Sequence, residues 1–424
     1  MAHLIIRNIG PIKEVDIELN KINVIMGPQS SGKSTINKIA CYCSWVEKKV
    51  SLDKSFDFFL KDTTFITELV RFHKLKGYIK SDSYIEYESK VVKFTYDHSL
   101  GIPVMEWKDS NAFKRTKISY IPSERNIVAV VPNWMEVKLV DNNTRSFMID
   151  WSTARNAYQK DKPFDILNLG VKYYYDDSVD KDFVIINDNT TIELTNTSSG
   201  LQSIIPLVIL IDYLTNWIYS NEVPNSVENI NKKEIIINTV IKDYINSNLP
   251  EAKDSSEFFK ILYYTLINRN DISSSGFEPL VVSIENYSRN HWTNLFIEEP
   301  EQNLFPSSQR DLMYYLLKQV KANEDHRLLL TTHSPYILYA LNNCMMGYLI
   351  KDNMPEEDRD ALSCVDSFID PKLVSIYEIK EGNLICIQES DGLISDNYFD
   401  SNMKAIMNDF YKMLNYYGDD KDEN

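Results

Sequence analysis

Several things are scarce in this sequence. Its five cysteines, Cys41, Cys43, Cys344, Cys364 and Cys386, include no C-x-x-C pair. An odd count without metal-ligand spacing argues against a disulfide framework and for reduced thiols, as in a cytosol. The start, Met1-Ala2-His3-Leu4-Ile5-Ile6-Arg7, has no leader pattern. The longest apolar run, Ile204 to Ile211, is interrupted by Pro206 and stopped by Asp212. It falls far short of a bilayer span, so no membrane partner is expected. Basic residues form no run, and 45 Lys and Arg face 61 Asp and Glu, for a net charge of −16. Wrapping a nucleic acid would need a local basic patch, so the charge does not indicate one. Such acidity serves solubility or favours a basic protein partner. No sustained heptads are expected, and hence no long coiled-coil arm; internal repeats and low-complexity linkers are missing as well.

The 424 residues are 43% hydrophobic, with 26 Tyr, 18 Phe and 6 Trp. That suits one large or two ordinary domains with a sizeable core. The chain is organised around Gly27-Pro28-Gln29-Ser30-Ser31-Gly32-Lys33-Ser34-Thr35, which fits the phosphate-loop pattern G-x-x-x-x-G-K-[ST]. By chance the bare pattern occurs in roughly one of a hundred chains of this length. Here it follows an apolar strand, Ile22 to Met26, and opens a segment, Thr35 to about Val50, free of Pro and Gly. The glycines let backbone N–H groups turn inward as an anion nest, and the helix N-terminus adds partial positive charge. In this pattern Lys33 reaches the β- and γ-phosphates and the Ser34 hydroxyl ligates Mg²⁺. ATP and Mg²⁺ are the expected cofactors.

Taken in order, residues 4–7, 15–19 and 22–26 read as strands, 51–80 as helical, and 84–97 as strand. Residues 118–126 read as a short strand running into a turn. Residues 144–168 read as helix, and 171–195 as two strands around an acidic turn. Thr197-Ser198-Ser199-Gly200-Leu201-Gln202-Ser203 leads into an apolar helix reaching about Tyr219. Amphipathic helices are expected near 233–248 and 256–268, then a Ser-rich turn at 273–276. Leu295-Phe296-Ile297 is an apolar strand ending in Glu298-Glu299-Pro300-Glu301. Ser307 or Ser308 should cap the next helix, with Asp311 completing a capping box. Leu328-Leu329-Leu330 is a further buried strand, running into Thr331-Thr332-His333-Ser334-Pro335. The acidic residues from Gly418 onward read as frayed.

An apolar strand that delivers two carboxylates suits the second half of a phosphate-loop NTPase. Glu298 would hold the hydrated Mg²⁺, and Glu299 would orient and polarise the attacking water. Alone, such a pair is a solvated acidic turn, and a lone His is structural; the order of the motifs gives both another meaning. Phosphate loop, Ser-Ser-Gly-Leu-Gln before a helix, Leu-Phe-Ile-Glu-Glu-Pro-Glu and Thr-Thr-His-Ser-Pro together resemble the ABC-type ATPases, and within them the SMC-like and OLD-family group. Tyr120-Ile121-Pro122-Ser123-Glu124-Arg125 is similar to a segment of that group. The resemblance covers residues 1–50, 118–126, 195–220 and 293–340.

It implies an α/β fold, a P-loop NTPase of the ABC ATPase head type, with helical and mixed α/β insertions. The chain would divide into a first ATPase part with the phosphate loop at 1–50, an insertion at 51–117 and a signature-bearing lobe at 118–222. A helical insertion at 223–290 and the second ATPase part with the C-terminal region at 291–424 would follow. The resemblance also implies that two heads sandwich two ATP molecules, with Ser199, Gly200 and Gln202 of one head closing on the nucleotide of the other, and that His333 senses the γ-phosphate. Glu298 stands where relatives more often have Asp, Leu201 where they have a second glycine, and Asn303 and Phe305 where they often have His. OLD-family nucleases add a metal-dependent nuclease domain with a Glu and an Asp-x-Asp. Here Asp358-Arg359-Asp360 matches the spacing but follows Pro355-Glu356-Glu357 and reads as a solvated loop. The expectation is therefore a cytoplasmic, homodimeric ATP-hydrolysing switch for a separately encoded effector, a nuclease or toxin, in anti-phage defence. The alternative is an SMC- or RecF-like DNA-repair ATPase that binds duplex DNA.

Overall fold

In the computed structural model, residues 2–221, 227–248 and 278–417 are described. The strands are β1 (Ala2–Ile9), β2 (Ile12–Leu19), β3 (Ile22–Met26), β4 (Ile79–Glu88), β5 (Val92–Asp97), β6 (Val104–Trp107), β7 (Thr116–Ile121), β8 (Phe164–Asp165), β9 (Lys172–Asp176), β10 (Lys181–Asn187), β11 (Thr190–Glu193), β12 (Trp292–Glu298), β13 (Arg327–Thr332), β14 (Val374–Lys380) and β15 (Asn383–Cys386). The main helices are α1 (Lys33–Asp53), α2 (Thr64–Phe72), α3 (Asn143–Arg155), α4 (Ser199–Asp212), α5 (Val227–Asn248), α6 (Glu278–Ser288), α7 (Pro306–Lys321), α8 (Pro335–Ile350) and α9 (Tyr398–Leu414).

Eleven strands form one sheet in the order β6-β5-β4-β1-β2-β15-β14-β3-β13-β12-β7. From β14 to β7 every neighbour is parallel, and from β6 to β2 every neighbour is antiparallel. The parallel strands read as unbroken apolar runs because both faces are covered. Ile22, Val24, Met26, Leu295, Ile297, Leu328 and Leu330 face a core shared with α3, α4, α7 and α8. Ile25, Phe296 and Leu329 face the opposite core, built on α1. A separate four-stranded antiparallel sheet, β11-β10-β9-β8, packs its Tyr173, Tyr175 and Val184 into the first of these cores.

Several expectations need correction. Residues 51–80 are not one helical block: α1 ends at Asp53, a single turn covers Asp57–Leu60, α2 stops at Phe72 and β4 begins at Ile79. Residues 79–107 then extend the main sheet by three strands, and β7, at the start of the stretch expected as a signature-bearing lobe, is its far edge. Helix α3 stops at Arg155, well before residue 168, and 171–195 holds three strands. Neither Ser307 nor Ser308 caps α7, because Pro306 occupies its first turn and the cap residue is Phe305. A proline has no N–H to lose there, so the helix can start without a side-chain cap. The helix near 256–268, the turn at 273–276 and the residues beyond 417 lie outside the described residues.

Together α4 and its continuation, Ser199–Ser220, are long and apolar enough to cross a membrane by length and composition. Its most apolar 18-residue stretch is nevertheless 67% buried inside the protein, and Ile204 to Ile211 are wholly enclosed. Such helices are core helices as readily as spans. The run tolerates Pro206 in its first half, and a wider turn at Tyr213–Trp217 loosens its end.

Candidate nucleotide site

The register of the parallel strands brings the motifs together. Met26 lies opposite Thr332, and Glu298 opposite Thr331. Ile121 lies opposite Ile297. The phosphate loop after β3, His333 after β13, Glu299 after β12 and Pro122–Arg125 after β7 therefore leave the same carboxyl edge of the sheet. In open α/β sheets that edge is where ligands bind.

Gly27 and Gly32 have φ of 148° and 111°. At Gly32 an added Cβ would lie 2.9 Å from Ile12 Cγ1, and at Gly27 it would lie 3.2 Å from the Ile379 carbonyl oxygen. Both strain and space therefore demand glycine. Pro28, Gln29 and Ser30 are exposed, whereas Lys33 and Thr35 are buried and Ser31 and Ser34 half-buried. The Lys33 ammonium donates to the carbonyls of Gly27 (2.8 Å) and Pro28 (2.7 Å), so it curls over its own loop. Burial pushes it down to about 8, against the pull of Glu299 and Glu301. The Ser31 hydroxyl is buried without a hydrogen-bond partner. A loop holding a desolvated cation and an unsatisfied hydroxyl suits a strongly charged acceptor such as a phosphate.

The two carboxylates at the end of β12 differ. Glu298 is buried, accepts from the Tyr120 hydroxyl at 2.5 Å and sits 3.7 Å from Lys38 Nζ. Glu299 is half-buried, with its Oε1 3.4 Å from His333 Nε2. The hydrogen bond from His333, with the charges of Lys33 and Arg125 behind it, holds the Glu299 carboxyl below its usual range. Glu299 has φ of 43°, a left-handed conformation that costs a non-glycine residue about 1 kcal/mol or more. Glu301 accepts from the backbone N–H of His333 at 2.5 Å, and its second oxygen is buried without a partner. Burial raises the Glu301 carboxyl.

A sequence model described as AAA ATPase domain matches residues 228–338, a stretch that includes Glu298, Glu299 and His333 but stops short of the phosphate loop. Among curated proteins, none matches this sequence. Solved structures similar over most of their length include three that illustrate the range. They are an SMC head domain from Thermotoga maritima (11% identity, TM-score 0.37, 91% of this chain and 97% of that one), the recombination mediator protein RecF (12%, 0.28, 91% and 97%) and a dimeric ATP-binding cassette in a post-hydrolysis state with ADP and phosphate (11%, 0.28, 91% and 96%). At these scores none of them carries the assignment. Strand order, phosphate loop and the carboxylates at the parallel edge carry it. The fold is a P-loop NTPase fold of the ABC ATPase head type.

Ser199 is exposed and Gly200 half-buried at the start of α4, whose N-cap is Ser198. A Cβ on Gly200 would lie 3.2 Å from the Asn303 carbonyl oxygen, and Asn303 Nδ2 donates to Ser203 Oγ at 2.9 Å. The start of α4 thus rests on the loop that follows Glu299. Gln202 is turned back on its own lobe, donating to the Thr195 carbonyl at 2.9 Å. Residues 356–360 form one exposed helical turn in which Arg359 pairs with Glu356 and Asp360. Among the described residues no group of three or more His, Cys, Asp or Glu could hold a metal ion.

Sequence reasoning missed Lys38 and the roles of Tyr120 and Arg125. The Arg125 side chain is wholly buried and donates to the carbonyls of Glu298 (2.9 Å), Glu299 (2.8 Å) and Pro300 (3.2 Å). It therefore grips the backbone from which both carboxylates hang. Burial brings it down to about 10, so it stays charged at neutral pH. The available signal was Tyr-Ile-Pro-Ser-Glu-Arg at a strand end, where an aromatic hydroxyl and a guanidinium flank a turn.

Proposed function

We propose that this chain is an ATP-binding and ATP-hydrolysing head that pairs with a second copy around two ATP molecules. It would act as a cytoplasmic nucleotide switch for a separately encoded effector, a nuclease or toxin, in bacterial anti-phage defence. The observation behind the ATPase reading is the convergence of Lys33, Glu298, Glu299 and His333 at one sheet edge. In this reading the loop amides and Lys33 hold the β- and γ-phosphates, and binding draws Lys33 off its own carbonyls. The donor set fits Mg²⁺: the half-buried Ser34 hydroxyl and the buried Glu298 carboxylate, steadied by Tyr120 and Lys38. The metal would neutralise charge on the phosphates. Glu299, kept ionised by His333, accepts a proton from the attacking water, and His333 reports the γ-phosphate. Ser199, Gly200 and Gln202 close on the partner's nucleotide. The effector and the defence role come from the family resemblance, with the acidic surface favouring a basic partner.

Glu299→Gln tests the chemistry. It keeps the size of the side chain and loses the carboxylate, so ATP binding should persist while phosphate release falls by orders of magnitude. Wild-type release would remove Glu299 from the mechanism. For the switch, the protein is co-expressed with its neighbouring open reading frame, and complexes are compared with ATP, with ADP and in Glu299→Gln. A partner whose retention changes with nucleotide is expected. No partner, together with tight duplex binding by the ATPase alone, would favour the DNA-repair reading instead.

A further inference from the structure

Helix α9 stands apart from the rest of the molecule. Its base is fixed: Asn397 and Asp400 form a capping box, the Tyr339 hydroxyl donates to Asp400, and Glu378 accepts from the Tyr398 N–H at 3.2 Å. Phe399 packs against the main core. From Ser401 on, every described residue is exposed. The exposed residues are not polar all round. Met403, Ile406, Phe410 and Met413 continue from Phe399 at spacings of four and three, with Met407, Tyr411 and Leu414 beside them. Ile406 is 64% exposed, Phe410 51% and Met413 65%. An apolar seam of period 3.5 is the pattern of a helix that packs lengthwise on another helix. The seam spans only about two heptads, so it is no sustained coiled coil.

We propose that α9 is a self-pairing helix, and that its partner is α9 of a second copy of this chain, running antiparallel about a two-fold axis. Three observations favour a copy over an unrelated partner. First, the seam is self-complementary. Centring the pair on Asn408 sets Ile406 against the partner copy's position 410 and Met403 against position 413, so two Ile–Phe layers lie between two Met–Met layers. Second, residues 398–415 carry Asp400 and Asp409 against Lys404 and Lys412 and are neutral. The acidity that would attract a basic effector is absent from this helix, and so is the like-charge repulsion that would oppose self-association. Third, the exposed side chains of the seam and its flanks offer roughly 700–800 Å², about what one partner contributes to a standard interface. A pair made this way does not require nucleotide, and it raises the effective concentration of one head near the other.

The test is the mass of the whole chain by light scattering without nucleotide. Two chains are expected for wild type and for Lys33→Ala, and one for the double substitution Ile406→Glu and Phe410→Glu, with its circular dichroism spectrum otherwise retained. In a second arm, Met403→Cys and Met413→Cys proteins are mixed under mild oxidation. The mixed product should exceed either self-product and the wild-type background from Cys386. A wild-type monomer without nucleotide, or a double variant that stays dimeric, overturns the proposal. Self-products dominating in the second arm overturn the antiparallel pairing. An ATP-dependent dimer of the double variant would leave the head reading standing while α9 pairing is lost.

Discussion

Arg125 offers the sharpest test of how the loop bearing Glu298 and Glu299 is held. Replacing it by Met keeps the length and apolar bulk but removes the guanidinium from the carbonyls of Glu298, Glu299 and Pro300. Each buried acceptor left without a donor costs about 1–3 kcal/mol. Deleting one member of a buried charged network costs about 3–5 kcal/mol in total. Unfolding entropy of roughly 2.1 cal/mol/K per residue, over the whole chain, turns that into a melting point lowered by about 3–6 °C. The catalytic effect should be larger. Glu299 has φ of 43°, and Arg125 is one of the groups that hold it there. Released, the loop relaxes and moves the carboxylate, and a displacement near 1 Å costs on the order of a hundredfold in rate. Nucleotide affinity should change little, because the phosphate loop hangs from β3 and α1. Arg125→Lys keeps the charge without the forked geometry and should fall between. The assays are thermal unfolding, equilibrium binding of a fluorescent ATP analogue, and steady-state phosphate release analysed separately as kcat and KM. Arg125→Met with wild-type kcat would refute the reasoning, whatever its melting point.

Two further outcomes are expected. Lys33→Ala should abolish nucleotide binding and Ser199→Arg should spare it but abolish hydrolysis. Mixing the two should restore part of the activity, because one composite site in each mixed pair is then intact; no recovery in demonstrated mixed dimers would contradict shared sites. His73 is enclosed by the rings of Tyr42, Phe72 and Tyr120, its Nδ1 unpartnered, and burial, helped by Lys38, brings it down to about 3. The unfolded chain takes up a proton near pH 6.5 that the folded protein refuses. Stability from this group is therefore complete above 6.5 and declines by about 1.4 kcal/mol per unit as pH falls toward 3. Urea midpoints at pH 7 and pH 5 should show a loss about 2 kcal/mol smaller in His73→Leu; equal losses would dispose of the idea.

The site was legible in the sequence wherever it is contiguous. Gly27–Thr35 carries its chemistry within a few residues, Glu298–Glu299 and Thr331–Pro335 take theirs from the order of the motifs, and strand pairing brings all three to one edge. What was illegible depends on contacts across the sheet. Tyr120 and Lys38 meet Glu298 only because β7 and α1 flank β12, and nothing near Arg125 in the chain says that its partners are carbonyls far downstream. Residues 79–107 lie inside the stretch 51–117 expected as an insertion, and their strand composition does not say which sheet they join. Only pairing of β4 with β1 shows that they complete the sheet. Around α7, local cap chemistry was overridden by Pro306, and at α9 the short seam was too brief to register against the many other apolar pairs.

The loop from Glu299 to Asn303 touches two things at once. At one end Glu299 faces His333, and at the other Asn303 lies against Gly200 and Ser203. In a pair of heads of the proposed kind, the first contact belongs to a chain's own nucleotide and the second to its neighbour's. A loop too short to deform independently at its two ends makes the two chambers of such a pair report to each other. Their firing would be concerted or alternating, and ATP saturation curves would depart from a simple hyperbola. Breaking the Asn303–Ser203 link would let each chamber run on its own clock.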